Sequence, residues 1–125
     1  MSHFTTIKTQ IRDLVALRAA LAQLDLPLLE NAPARGYAQN SIPGDYVIQL
    51  KGPYDIALKR QPNGAYELTA DLWMGHVEAE VGKNYGRLLQ LYGVHKATAE
   101  ARKKGHLVQR RAQQDGSIKL VIGGV

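Results

Sequence analysis

The chain has 125 residues, 45% of them hydrophobic, with no cysteine and a formal charge of +5. That size buries a core without covalent staples, and the missing cysteines exclude disulfides, thiolate metal sites and cysteine nucleophiles. No apolar run reaches the roughly 18 residues of a membrane span and the start lacks the pattern of a secretory leader, so a single soluble cytoplasmic domain over residues 1–125 is expected.

Residues 4–11 hold Thr5, Thr6, Ile7, Thr9 and Ile11, a β-branched run of strand length in which Phe4 and Ile7 fall on opposite faces unless a bulge intervenes. Asp13 then offers a cap for a helix whose Leu14, Leu17, Leu21 and Leu24 recur at helical spacing, ending near Leu24 and packing its stripe on a sheet. Residues 27–45 are punctuated by Pro27, Pro33, Gly36, Pro43 and Gly44 and read as a long irregular connection with a short strand near Tyr37. Long loops often carry function, which makes Arg35, Tyr37 and Asn40 candidates for recognition.

Residues 46–73 read as an antiparallel meander of three strands around which the rest is organised. Tyr46, Ile48 and Leu50 alternate with Val47, Gln49 and Lys51, and Gly52-Pro53 interrupts the run before Ile56 and Leu58. Gln61-Pro62-Asn63-Gly64 supplies the turn into Tyr66, Leu68, Ala70 and Leu72, whose opposite face carries Glu67, Thr69 and Asp71 and is expected to be wet.

Met74-Gly75-His76 reads as a strand exit, and Val81, Tyr85, Leu88 and Tyr92 mark a second helix from about Val77, with a break or kink expected near Gly93. Arg102, Lys103, Lys104 and Gly105 form a helix stop, cations meeting the C-terminal dipole. Residues 107–112 and 117–122 flank Gln113-Gln114-Asp115-Gly116 as a hairpin, with Ile118, Leu120 and Ile122 toward the core and Arg110 and Lys119 toward water. The expected class is α+β: a largely antiparallel sheet of five to six strands with two main helices packed on one face.

Catalytic patterns are scarce. His3, His76, His95 and His106 are scattered, with no HExxH, and GxGxxG, Walker and GxSxG patterns do not occur, so no cofactor or metal is expected. Glu78 and Glu80 lie near a helix start and read as structural carboxylates. Arg102, Lys103, Lys104, Arg110 and Arg111 place five cations within ten residues and are the candidate contacts for phosphates or for an acidic protein face. Trp73, with Tyr54 and Tyr66, is the candidate lining of a small pocket.

The opening Ser2-His3-Phe4-Thr5-Thr6-Ile7-Lys8-Thr9-Gln10-Ile11-Arg12-Asp13 and the closing Asp115-Gly116-Ser117-Ile118-Lys119-Leu120-Val121 resemble the hypothetical chloroplast reading frame thirty-five family. These are small proteins of unknown function in cyanobacteria, plastids and other bacteria. The resemblance implies one soluble domain, in the stroma for plastid-encoded relatives, and transfers no functional residue. The leading expectation is a non-enzymatic accessory or protein-interaction module. The alternatives are nucleic-acid binding through residues 102–111, and a small-ligand pocket formed by Trp73, Tyr54 and Arg35.

Overall fold

The computed structural model describes residues 3–124, and Met1, Ser2 and Val125 lie outside the described residues. The strands β1 (Phe4–Lys8), β2 (Leu28–Arg35), β3 (Ser41–Ile48), β4 (Ile56–Arg60) and β5 (Tyr66–Asp71) form one sheet in the order β1-β5-β4-β3-β2. Every neighbouring pair is antiparallel. The helices are α1 (Leu14–Leu24), α2 (His76–Val81) and α3 (Gly86–Lys103), and β6 (Leu107–Ala112) pairs with β7 (Ile118–Gly123) in a sheet of its own. The α+β class and the antiparallel sheet are as the sequence predicts.

The meander forms where the alternation places it. The Gly64 N–H closes the turn on the Gln61 carbonyl at 2.9 Å with Gly64 at φ 85, the positive φ that a glycine adopts without steric cost. Ile56, Leu58, Leu68 and Ala70 present one fully buried face to α1 and α3. Leu17 and Leu21 of the leucine stripe meet that face, and Asp13 caps their helix by accepting the Ala16 N–H at 3.1 Å. The Tyr92 hydroxyl of α3 accepts the Arg12 and Asp13 N–H groups, each at 3.1 Å, which ties the two helices together at the start of α1.

Three expectations are corrected. Residues 27–45 are a regular hairpin, in which Tyr37 occupies the turn and not a strand. Pro33 lies directly opposite Pro43, and this is tolerated because β2 is the edge strand and β4 bonds β3 only from Tyr46 to Ile48, so neither missing donor breaks a ladder. The outer face of the sheet is also not wholly wet. The bridge pattern skips Asn31, which sits at φ 46, and beyond it Ala32 and Ala34 pack with Val47, Ala57 and Ile42 in a second apolar cluster. Small residues line this cluster because the bent hairpin lies close over the sheet.

The third correction concerns the second helix, which breaks at Gly82 and runs unbroken through Gly93. Gly82 adopts φ 87, and a Cβ there would lie 2.7 Å from the Arg87 backbone nitrogen, whereas a Cβ at Gly93 meets nothing within 4 Å. Tyr85, itself at φ 61, fills the core behind the break, and burial followed by the Glu78 carboxylate pushes its hydroxyl up to about 12. Urea denaturation is expected to separate the two glycines. Gly93→Ala should stabilise by up to about 1 kcal/mol through helix propensity, and Gly82→Ala should destabilise by about 1–3 kcal/mol through backbone strain.

Candidate binding surface

The β2–β3 hairpin does not extend flat from the sheet; its tip folds back across the outer face and is held there by a buried carboxylate. Asp55 is 3% exposed. Its Oδ2 accepts the Arg35 backbone N–H at 2.9 Å and Nε at 2.8 Å, and its Oδ1 accepts Arg35 Nη2 at 2.7 Å and the Leu50 N–H at 3.1 Å. The Asp55 N–H in turn donates to the Arg35 carbonyl at 3.0 Å. Burial alone would raise this carboxyl, but the bidentate guanidinium and the two backbone donors outweigh it and hold its pKa below the ordinary range.

The staple continues into the helical side. Arg35 Nη2 also donates to the Leu50 and Gly52 carbonyls, at 3.0 and 2.9 Å. Glu80 of α2 accepts the Lys51 and Gly52 N–H groups at 2.7 and 3.0 Å, so the loop between β3 and β4 is gripped from both sides. Glu78 accepts the Asn84 N–H at 2.9 Å. Both glutamates therefore spend their charge on backbone donors, Glu78 from the first turn of α2 and Glu80 from its end. The Arg35 pKa is raised, first by its hydrogen bond to Asp55 against the opposing cost of burial, then by the charges of Asp55 and Glu80.

One residue beyond Arg35, Gly36 lies against the Phe4 ring so closely that a Cβ would collide with Phe4 Cζ. Phe4 thus packs on the outer face while Ile7 packs in the main core, and no bulge is needed. Asp71, at the end of β5 and 2% exposed, accepts the Tyr37 N–H on Oδ2 and the Trp73 N–H on Oδ1, each at 3.0 Å. Its expected place on a wet face is corrected by the hairpin tip that covers it. The Tyr37 and Trp73 rings meet edge to face at 6.1 Å and 64°. Tyr37 remains 46% exposed, Trp73 40% and Met74 73%, so a rigid aromatic corner faces solvent.

Of the residues singled out in the sequence, Tyr37 and Trp73 come together and Arg35 lies beneath them as the support. Its side chain is half exposed, yet its Nε and Nη2 are committed to Asp55, Leu50 and Gly52. Asn40 closes the hairpin turn, its carbonyl accepting the Gly36 N–H at 2.7 Å. The pocket trio does not assemble. Tyr54 is buried edge to face against His76 at 5.3 Å, and Tyr66 sits at the far end of β5 from Trp73, packed on Tyr46. A groove of about 580 Å³ passes between Arg35, Pro53 and Tyr54 but is not lined by Trp73.

Arg102 and Lys103 occupy the last turn of α3, and the Lys104 N–H donates to the Ala101 and Arg102 carbonyls. Arg110 is exposed to water as expected, but not on the side of the hairpin turned away from α3. It shares the α3-facing side of the hairpin with Ile118 and Leu120, and its Nη1 donates to Gln23 Oε1 at 3.0 Å beside His95. Burial and then Arg110 lower the His95 pKa. Arg111 points the other way and stands directly opposite Lys119. Ile122, expected in the core, is 49% exposed because the hairpin packs on α3 and not on the large sheet. Among the described residues no group of His, Cys, Asp or Glu converges to hold a metal ion, and no helix is long and apolar enough to cross a membrane.

Residues 20–121 match the family model described as "Protein of unknown function (DUF1257)". The chain belongs to this family. The "Uncharacterized protein ycf35" of Pyropia yezoensis is 32% identical over 124 residues, 98% of this chain and 96% of the relative. The protein of the same description from Guillardia theta is 30% identical over 125 residues, with the same coverage. No solved structure matches the chain. The resemblance carried by the two termini is therefore a likeness along nearly the whole chain. The family match spans the staple, the aromatic corner and the basic segment, while β1 lies outside it.

Asp55 and Asp71 carry no strong signal in the sequence, although Asp71 two residues ahead of Trp73 fits an Asx turn. Asp55 has a lowered pKa, so its contribution to stability is complete above the unfolded-state value and drains away as pH falls through the folded-state value. Arg35→Met is expected to cost about 1–3 kcal/mol at about pH 6, less than a fully buried pair because Arg35 is half exposed. In denaturant titrations the gap to wild type should begin to narrow as pH falls below about 4, the unfolded-state value, and close further as pH falls through the lower folded-state value at which Asp55 itself takes up a proton.

Proposed function

We propose that this protein is a non-catalytic docking module that engages a larger protein assembly through the corner formed by Tyr37, Trp73 and Met74. The observation that carries this reading is the Tyr37–Trp73 pair, two exposed rings fixed edge to face by backbone bonds to one buried carboxylate. Rigid aromatic groups on a surface bind with little loss of side-chain freedom, and such residues dominate the energetics of protein interfaces. Asp55 supports the same reading, because both its oxygens are filled by donors and it has no capacity left for proton transfer.

A second reading rests on Arg111 and Lys119, like charges set directly opposite each other on the outward side of the β6–β7 hairpin. Such a pair repels itself, and a phosphate bridging it would relieve the repulsion, which favours nucleic acid as an alternative partner.

The chain's one tryptophan is Trp73, so intrinsic fluorescence reads the first surface directly. Affinity capture from a native extract at low and moderate salt, with mass spectrometry, should recover a partner with wild-type protein. Trp73→Ala should lose it, with an affinity drop of at least about 2 kcal/mol if Trp73 is a hot spot. Adding the purified partner should shift the wild-type emission. Recovery that is equal for Trp73→Ala and wild type would end the first reading. For the second, Arg111→Gln with Lys119→Gln should lower the log-log salt slope of nucleic-acid binding by about 1.4–1.8, and an unchanged slope would end it.

A further inference from the structure

We propose that two copies of this chain associate by pairing their β7 strands antiparallel about a two-fold axis at Leu120, joining their hairpins into one four-stranded sheet. The hairpin stands apart from the large sheet and packs one face on α3. An isolated two-stranded ribbon is marginal in water and presents two open edges.

The turn determines which groups those edges offer. The Gln113 N–H donates to the Ser117 carbonyl at 2.9 Å, so from there the hydrogen-bonded pairs include Arg111–Lys119 and Gln109–Val121. Ile118, Leu120 and Ile122 occupy the alternate positions, with N–H and carbonyl groups turned away from β6. Among the described residues none of these groups has a hydrogen bond to another element.

Charge selects the edge and the occupant. A two-fold at Leu120 sets Leu120 against its own copy, Ile118 against Ile122 of the second copy, and Lys119 against Val121, so no like charges face each other. The half-exposed Ile122 then gains an apolar neighbour. The corresponding pairing of β6 would centre on Arg110 against Arg110, which is repulsive. The edges of the large sheet are guarded by other means: β2 by Pro33 and the left-handed Asn31, and β1 by its five-residue length and terminal Lys8.

Sedimentation equilibrium of the full chain, with hydrogen exchange, tests this inference. Wild type should show a monomer–dimer equilibrium, and dimer formation should protect the amides of Ile118, Leu120 and Ile122 while leaving Lys119 and Val121, already bonded to β6, unchanged. Val121→Lys places like charges opposite Lys119 of the other copy and should weaken the dimer about tenfold. Val121→Glu at the same site should tighten it. Both charges also act on Arg111 and Lys119 within the same hairpin, so the change in dimer constant is read together with the protection of the Ile118, Leu120 and Ile122 amides, which a purely local effect does not produce. A monomer at every attainable concentration, equal effects of the two variants, or protection confined to other strands would each overturn the proposal.

Discussion

Asp55 sits beneath the folded-back tip of the β2–β3 hairpin with two donors on each of its oxygens, and removing Arg35 from it would leave a charge buried without its strongest partner. Much of the outer half of the molecule depends on this arrangement. The ion pair holds the end of β2 against the start of β4, which brings Ala34 down onto Val47 and Ala57. It also delivers Gly36 to Phe4 and Tyr37 to Asp71. A desolvated pair of this kind contributes less to net stability than its Coulomb energy suggests, but breaking it is costly, so it specifies one hairpin position more than it strengthens the fold.

The inner half is organised differently, by apolar burial between the sheet and the two long helices, with the Tyr92 hydroxyl and the Asp13 cap fixing where α1 begins. Glu80 joins the halves, since it grips the same loop that Arg35 reaches from the other side. The aromatic corner is consequently braced through α2 as well as through the sheet. Among the described residues the β6–β7 hairpin has no comparable brace. Leu107 is 68% exposed there and the polar ties are Gln23 to Arg110 and Gln90 to the Gly116 carbonyl, so this segment is drawn from the low-stability end of the molecule.

Features that depend on neighbours a few residues apart were legible in the sequence alone. The Asp13 cap, the α1 stripe, the Pro-Asn-Gly turn, the Asp-Gly hairpin and the helix stop at Gly105 all arise from alternation, helical spacing or left-handed φ, and all stand in the structure. The antiparallel class followed because short turns between alternating runs leave little else. Whole-chain likeness to the ycf35 proteins was legible in the termini and carried no chemistry with it.

Which side of a strand stays wet, and which polar groups are buried, was settled only once distant segments met in three dimensions. Asp55 and Asp71 look like ordinary surface residues in the sequence, and Arg35 like a free recognition group, because Asp55 and Arg35 pair across 20 residues and Asp71 meets Tyr37 across 34, through a hairpin that folds back over the sheet. The break at Gly82 rather than Gly93 has the same origin: propensity penalises both glycines alike, and the left-handed φ of Gly82 with the close approach of Arg87 distinguishes them. Side-chain type is a local property, whereas burial and charge pairing belong to segments that meet only after the chain has folded.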